Sequence, residues 1–418
     1  MKKVLVVAYL FPPSGGGGVM RTLKFIKYLP QLGWRPDVIT VKNPVFDLID
    51  RSLLDEIPSD VHVYRTYWFD HRLFSVPLRK IGINPSYVFI PHDMNIGWLP
   101  FAIKRGKKII EKKNIDIIYA TYPPAVNVLI GSLLKVMTGK PLVLDFRDPW
   151  TQNPFVRYLS IFQKKVEEWM EKACLRSAEH VITVTEHMRQ NLIKKYPFIS
   201  EKCVTITNGF DPEDFEDLKR WDQRNKFTIT YTGSLYGLRT PIFFLTALKK
   251  IVEENNEIKN SIQVIFVGRY SEKCNELVRK LGLEKVVNIF GFTSHKKSLE
   301  FMVNADVLLL IITGGKYIMT NKIFEYLYAN RPILALVPED GPAGKLIRST
   351  NSGLVISPYE IDSIKNGISR MFERWKKENS NKPNKRKNNI SRYSRKTLTY
   401  ELVNVFEKVY CARSSKKH

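Results

Sequence analysis

The chain has 418 residues, 66 Lys and Arg against 41 Asp and Glu, a net charge of +25 and an apolar content of 44%. That length predicts two to three domains, and that apolar content is the ordinary one of a globular protein. Four cysteines, Cys174, Cys203, Cys274 and Cys411, lie far apart with no C-x-x-C pair, which argues against a disulfide framework or zinc site and fits a reducing cytosol. No run approaches the ~18 apolar residues that a membrane-spanning helix needs. The positive charge is concentrated: residues 376–418 hold 13 Lys or Arg against 3 acids, and residues 104–113 hold six against one. Such an excess implies an anionic partner, nucleic acid or an anionic membrane surface, with a lysine-rich solvated surface as the plain alternative.

Met1-Lys-Lys followed by Val4 to Phe11 imitates a signal peptide. Pro12-Pro-Ser-Gly-Gly stands where a small-residue cleavage site belongs, so Val4 to Leu10 is read as a first buried strand. The glycines Gly15 to Gly18 follow, then an amphipathic helix from about Val19 to Leu32 with Leu23, Ile26, Leu29 and Leu32 inward, then a strand from Asp37 to Val41. This is a right-handed βαβ opening. It has neither the spacing of a dinucleotide fingerprint nor the Gly-Lys-Ser/Thr of a P-loop. The glycines let backbone approach a ligand closely, although a flexible turn would read the same. Residues 67–100 mix aromatics with Arg72, Arg79 and Lys80. The helix from about Pro100 to Lys113 has Leu99, Ile103 and Ile110 on one side and Lys104, Arg105, Lys108 and Lys112 on the other; it suits a surface helix or an interfacial membrane helix equally.

Further strands are expected at Asp116 to Ala120 and Leu142 to Asp145. The second ends in Asp145-Phe-Arg147-Asp148-Pro-Trp150. Ligands of open α/β sheets bind beyond the carboxyl ends of strands, so this charged cluster is well placed; a structural Arg147–Asp145 bridge is the alternative. A charged helix over 160–178 and strands at His180 to Val184 and Cys203 to Thr207 complete the first half. Residues 211–225 are polar and acidic and read as a linker.

The alternation then restarts, with strands at Phe227 to Tyr231, Ile262 to Val267, Val286 to Phe290, Val307 to Ile312, Ile333 to Val337 and Leu354 to Ile356. The loop Thr232-Gly233-Ser234 runs on to Arg239, whose guanidinium fork suits phosphate oxygens unless it simply faces solvent. Gly291-Phe292-Thr293 follows another strand end. After Ile312, Thr313-Gly314-Gly315-Lys316 breaks the strand, and Thr320 can cap a helix beginning at Asn321. On a wheel of ~100° per residue, Ile323, Phe324, Leu327 and Tyr328 face the sheet, while Lys322 and Glu325 share the opposite arc. Unpaired N–H groups at such a helix start favour an anion such as a diphosphate, Lys322 adds charge, and an ionised Glu325 suits a pair of sugar hydroxyls. A solvated Lys322–Glu325 salt bridge has the same spacing. An amphipathic helix over Ile361 to Lys377, a basic Asn-rich linker over 379–389 and a last helix from Thr397 to Tyr410, with Leu398, Leu402, Val405, Phe406 and Val409 apolar, end the chain.

Lys322-Ile-Phe-Glu325-Tyr-Leu-Tyr-Ala-Asn-Arg331-Pro-Ile-Leu resembles the nucleotide-sugar helix of glycosyltransferase family 4, in which the Glu binds the donor ribose. The Pro12-Pro13-x-x-Gly-Gly loop, the Leu29-x-x-x-Gly33-x-x-x-x-Val38-x-Thr40 run and Asn208-Gly209-Phe210-Asp211 also resemble that family. The resemblance spans about residues 1–410. It implies the glycosyltransferase B architecture: two tandem doubly wound Rossmann-like α/β domains with a cleft between them and a C-terminal helix returning to the first. The implied bounds are 1–210 for an acceptor-side domain, 211–225 for a linker, 226–378 for the nucleotide-sugar domain and 379–418 for a basic linker and terminal helix. The implied reaction moves a sugar from a nucleoside-diphosphate donor to a hydroxyl of a glycan or lipid-linked acceptor, with retention of configuration.

Carried over position by position, the implied catalytic residues are Arg147, Asp148, Arg239 and Lys322. Donor binding falls to Gly16, Gly17, Gly233, Arg239, Phe292, Gly314, Gly315, Tyr317, Thr320, Asn321, Lys322 and Glu325. The chain departs from the family in three places. Arg147 aligns where a His commonly stands, Ser234 replaces an Arg, and Tyr317 replaces a first Glu eight positions before Glu325. With no Asp-x-Asp, neither metal nor cofactor is expected. The implied setting is cytoplasmic, peripheral on the cytoplasmic face of an anionic membrane. A sugar-nucleotide epimerase on the same architecture is the alternative, and after it a basic nucleic-acid-binding protein; no nucleic-acid motif is found, and nucleic acid is not an expected partner.

Overall fold

The structure, a computed structural model, describes residues 1–44, 48–69, 81, 95–221, 225–235, 240–270, 272–313, 315, 319–378 and 390–414. Contacts divide the chain into two units. One is Met1–Asn208 together with the chain from Arg395 onward, the other Gly209–Ser394.

The first unit is built on seven strands: β1 (Lys2–Val7), β2 (Trp34–Val41), β3 (His62–Thr66), β4 (Ile117–Tyr122), β5 (Leu142–Phe146), β6 (His180–Thr183) and β7 (Cys203–Thr205). They form one sheet in the order β3-β2-β1-β4-β5-β6-β7, parallel throughout. In β1, Val4 lies opposite Pro36 of β2 and Ile117 of β4. Successive residues of β1 serve opposite faces: Leu5 and Val7 join one apolar cluster, Val4 and Val6 another. Both faces are covered by helices, which is why the strands read as continuous apolar runs rather than as alternating ones. The edge strand β3 escaped the sequence reading because His62-Val-Tyr-Arg-Thr66 is half exposed and carries no such run.

The helix after β1 spans Gly17–Tyr28, starting two residues earlier than expected and ending sooner, with a separate short turn at Pro30–Leu32. It carries a charge into the core. Arg21 and Asp145 are both fully buried and form a two-pronged pair, Nε to Oδ2 at 2.7 Å and Nη2 to Oδ1 at 2.9 Å. Burial alone works against the guanidinium charge, but the Asp145 charge outweighs it and holds the Arg21 pKa above its ordinary value. The Tyr119 hydroxyl donates to the same carboxylate. Asp145 therefore pairs with Arg21 rather than in the alternative bridge to Arg147.

The last helix, Arg395–Ser414, returns to this unit. Leu398, Leu402, Val405, Phe406 and Val409, the residues marked apolar in the sequence, are all buried in the cluster that also holds Val4, Phe25 and Trp34. The Phe406 ring lies 5.1 Å from that of Trp34, whose Nε1 donates to Glu407 at 2.9 Å.

The second unit repeats the plan with six parallel strands: β8 (Phe227–Thr232), β9 (Ile262–Val267), β10 (Val287–Phe290), β11 (Val307–Ile311), β12 (Ile333–Leu336) and β13 (Gly353–Ile356). All six were expected from the sequence. Their order is β10-β9-β8-β11-β12-β13. In each unit the chain winds outward one way from its first strand and then the other, the doubly wound Rossmann arrangement. No helix among the described residues is long and apolar enough to cross a membrane.

Removing one partner of a buried ion pair leaves the other charge uncompensated, at a cost of about 3–5 kcal/mol. Arg21→Met should therefore lower the stability of the first unit by about that amount, read as a drop in the urea midpoint; a midpoint unchanged from wild type would refute the role assigned to the pair.

Candidate active site

In a doubly wound sheet the ligand crevice opens where the strand order reverses, beyond the carboxyl ends of the two strands that part there. In the second unit these are β8 and β11. The helix following β11 spans Lys322–Ala329, and two of its side chains reach across to the end of β8. The Lys322 ammonium donates to the Thr232 carbonyl and stands 4.0 Å from the centroid of the Tyr231 ring. Tyr326, one turn further along the same face, is fully buried. Its hydroxyl accepts from the Thr232 amide at 3.0 Å and lies 3.2 Å from the Leu309 carbonyl, to which it donates. Burial raises the Tyr326 pKa, so the phenol keeps its proton and remains a donor. The wheel placed Tyr328 against the sheet and left Tyr326 out. The structure buries Tyr326, while Tyr328 is half-buried and stacks on Phe210 at 4.5 Å.

Gly233 comes next after Thr232 and has φ +109°, a conformation that side chains rarely adopt. A Cβ there would also overlap the Lys322 ammonium. The backbone conformation is what requires glycine here, and a side chain would in addition push the Lys322 ammonium from its place. Its amide donates to the Val267 carbonyl at 2.7 Å, which ties the loop to the end of β9.

At the start of the Lys322–Ala329 helix the expected cap is not formed. Asn321, in helical conformation, occupies the cap position and makes no side-chain capping bond. The Thr320 hydroxyl is buried with no partner. A buried hydroxyl without a partner is costly unless something supplies the bond, and this one lies at the helix start where an anionic ligand was expected.

Glu325 lies in the first helical turn. Its Oε1 is 3.1 Å from Nε2 of His295, and Nδ1 of His295 is 3.9 Å from Oδ2 of Asp214. His295 opens the helix His295–Val303, whose cap Ser294 accepts from the Lys297 amide at 3.3 Å. The sequence reading missed His295. The available signal was its place three residues after Phe292, at the end of the turn that leads out of β10. Phe292 itself lies just beyond the edge strand β10 and is exposed. Of the other expected donor residues, Gly315 is half-exposed, while Arg239, Gly314 and Tyr317 lie outside the described residues.

In the first unit the reversal falls between β1 and β4. Asn127, fully buried, joins the two strand ends: its Oδ1 accepts from the Tyr9 amide at 3.0 Å and its Nδ2 donates to the Thr121 carbonyl at 2.7 Å. Gly16 has φ +85° and ends the glycine loop just before the helix that starts at Gly17. Arg147 donates to the carbonyls of Gly18, Tyr122 and Pro123, with Nε to Tyr122 at 3.3 Å. Burial lowers the Arg147 pKa. Its guanidinium bonds backbone carbonyls, so the geometry makes it a clamp on the glycine loop. Asp148 is exposed beyond the end of β5. Arg21 and Asn127 were not anticipated: a buried Arg within an amphipathic helix and a lone Asn at a helix start have no distinctive spacing.

Two doubly wound parallel sheets in tandem, the second with a cation and a carboxylate on the helix at its reversal point, make up the glycosyltransferase B architecture. Residues 15–214 match the family described as Glycosyltransferase Family 4, and residues 214–389 match Glycosyl transferases group 1. The chain belongs to the family 4 type of glycosyltransferase. It is 22% identical over 420 residues to an uncharacterised glycosyltransferase of Methanocaldococcus jannaschii, covering 97% of this chain and 98% of that protein. It is 26% identical over 282 residues to the UDP-Gal:alpha-D-GlcNAc-diphosphoundecaprenol alpha-1,3-galactosyltransferase of Escherichia coli, covering 64% and 68%. Among solved structures, sucrose-phosphate synthase from Thermosynechococcus elongatus shares the fold with a TM-score of 0.67 at 15% identity, over 99% of this chain and 100% of that one.

Tyr326→Phe removes the bonds to Thr232 and Leu309 while keeping the ring. A buried backbone amide left unpaired costs about 1–3 kcal/mol, so the variant should lose that much stability in a denaturant titration. A midpoint within error of wild type would show that the hydroxyl does not hold the end of β8.

Proposed function

We propose that this glycosyltransferase moves a sugar from a nucleoside-diphosphate donor to a hydroxyl of a lipid-linked glycan precursor, with retention of configuration and without a metal ion. The observation that carries the reading is the Lys322 ammonium, fixed at the end of β8 beside Gly233 at the start of the helix. A diphosphate seated over Gly233, Gly315 and the Thr320–Lys322 turn meets that cation, the positive end of the helix and the Thr320 hydroxyl. Glu325, one turn along, accepts the two ribose hydroxyls. By the family resemblance, Arg239 is assigned to the diphosphate, and Gly314, Tyr317 and Asn321 to donor binding. Phe292 flanks the base. The acceptor chemistry follows that named for the Escherichia coli relative, a sugar on a polyprenol-linked diphosphate. Such a substrate places the enzyme at the cytoplasmic face of the membrane.

The reaction then needs little covalent chemistry from the protein. The bond from the anomeric carbon to the diphosphate oxygen breaks, the acceptor oxygen bonds to that carbon on the same face, and its proton passes to the departing diphosphate. The protein supplies position and charge stabilisation. By the family resemblance, Gly16 and Gly17 are assigned to donor binding and Asp148 to the acceptor hydroxyl.

Calorimetry and kinetics test this. Glu325→Gln loses charge-assisted bonds worth about 1.5–3 kcal/mol, or about 10- to 150-fold in donor affinity; unchanged affinity removes Glu325 from the ribose site. Arg239→Ala and Lys322→Ala should each lower turnover by roughly a hundredfold or more, Tyr317→Phe far less. An NMR assignment of an inverted product overturns the mechanism, and a rate abolished by EDTA overturns its metal independence.

A further inference from the structure

The helix Ile161–Ser177 of the first unit is inside out. Its glutamates face the core: Glu167 and Glu171 are fully buried, while Ile161, Phe162 and Trp169 are 77%, 72% and 69% exposed. The burial of the acids is specific. Glu167 accepts from Nε1 of Trp150 at 2.7 Å, and Glu171 accepts from the Tyr196 hydroxyl at 2.9 Å and pairs with Lys195 at 3.2 Å. The third acid, Glu168, is also taken by Lys195, at 3.3 Å. Capping sets where the helix starts, since Ser160 accepts from the Gln163 amide at 3.1 Å and Gln163 reaches back to the Leu159 amide at 3.0 Å. The outward face therefore cannot turn inward without breaking these bonds.

That face combines exposed apolar side chains with cations. Lys164, Lys165 and Lys172 are exposed between and beside Phe162 and Trp169, and Leu159 just before the helix is 62% exposed. No acid of the helix is exposed among the described residues to offset them. Large apolar groups standing clear of the surface and surrounded by one sign of charge match a surface that is anionic at its boundary and apolar just beneath. Trp is suited to that boundary because its ring is amphipathic. The helix belongs to the connection from β5 to β6, which begins with Arg147 and Asp148 at the carboxyl end of β5.

We propose that the Leu159–Lys172 face is the surface by which this enzyme sits on an anionic lipid membrane. This deepens the reading of a lipid-linked acceptor and rests on it. It also moves the contact away from where the sequence suggested. The Leu99–Lys113 helix is ordinary, with Ala102, Ile109 and Ile110 buried, a charged outer face and Phe101 as its exposed large apolar side chain. The basic 379–389 stretch lies outside the described residues.

The test is co-sedimentation of the full chain with vesicles of phosphatidylglycerol in phosphatidylcholine, against phosphatidylcholine alone. Wild type should bind the anionic vesicles and release them as salt rises. The double variants Phe162→Ser/Trp169→Ser and Lys164→Glu/Lys165→Glu should each weaken binding about tenfold or more, with melting temperature and turnover on a soluble acceptor unchanged. Phe101→Ser should bind as wild type does. The proposal is overturned if either double variant binds like wild type, if Phe101→Ser abolishes binding, or if neutral and anionic vesicles recover wild type equally. Vesicle binding retained by a protein that turns over no sugar nucleotide would uphold the surface and remove the functional reading instead.

Discussion

Parallel strands must be joined by crossovers, and the crossovers of one doubly wound unit all have the same hand. Every strand then ends on one edge of the sheet, and the loops that leave those ends are gathered there. Where the winding reverses, the two neighbouring crossovers lie on opposite faces, and a gap opens between their loops. The site residues of both units follow from this constraint. β1 and β4 part in the first unit, β8 and β11 in the second. The glycine loop, Asn127 and Arg147 collect at one gap, and Gly233, Lys322 and Tyr326 at the other.

The two gaps are braced differently. In the first, a planar guanidinium spans three backbone carbonyls, those of Gly18, Tyr122 and Pro123. A rigid fork suits this task, because one side chain fixes several loops at defined angles. In the second, the brace is divided. The neutral Tyr326 hydroxyl ties the end of β8 to β11, and the Lys322 ammonium beside it donates to the Thr232 carbonyl.

Much of this was legible in the sequence, for physical reasons. Strands buried on both faces form unbroken apolar runs, so all six of the second unit and six of the seven in the first were visible; β3 at an edge was not. The terminal helix showed its apolar stripe at Leu398, Leu402, Val405, Phe406 and Val409, and that stripe is the buried one. Lys322 and Glu325 stood out because they share a helix face after a double glycine. What stayed hidden were polar groups inside the core. Arg21 with Asp145, and Asn127, are found only when a partner more than a hundred positions away is brought beside them, and Tyr326 was hidden by one step of helical phase. The Ile161–Ser177 helix misled in the opposite sense, since its pattern of acids and aromatics suggests an ordinary charged surface helix until the glutamates are seen to face inward.

The terminal helix also bears on how the chain is made. The apolar cluster shared by Val4, Phe25 and Trp34 is closed by residues from Leu398 onward, so the first unit draws on chain from both sides of the second. The second unit is one continuous stretch, Gly209–Ser394. During synthesis the first sheet emerges early, yet the cover of one of its faces stays incomplete until the residues from Leu398 onward have been made. The stretch made in between can close its own core earlier. The first unit is thus begun before the second and completed after it.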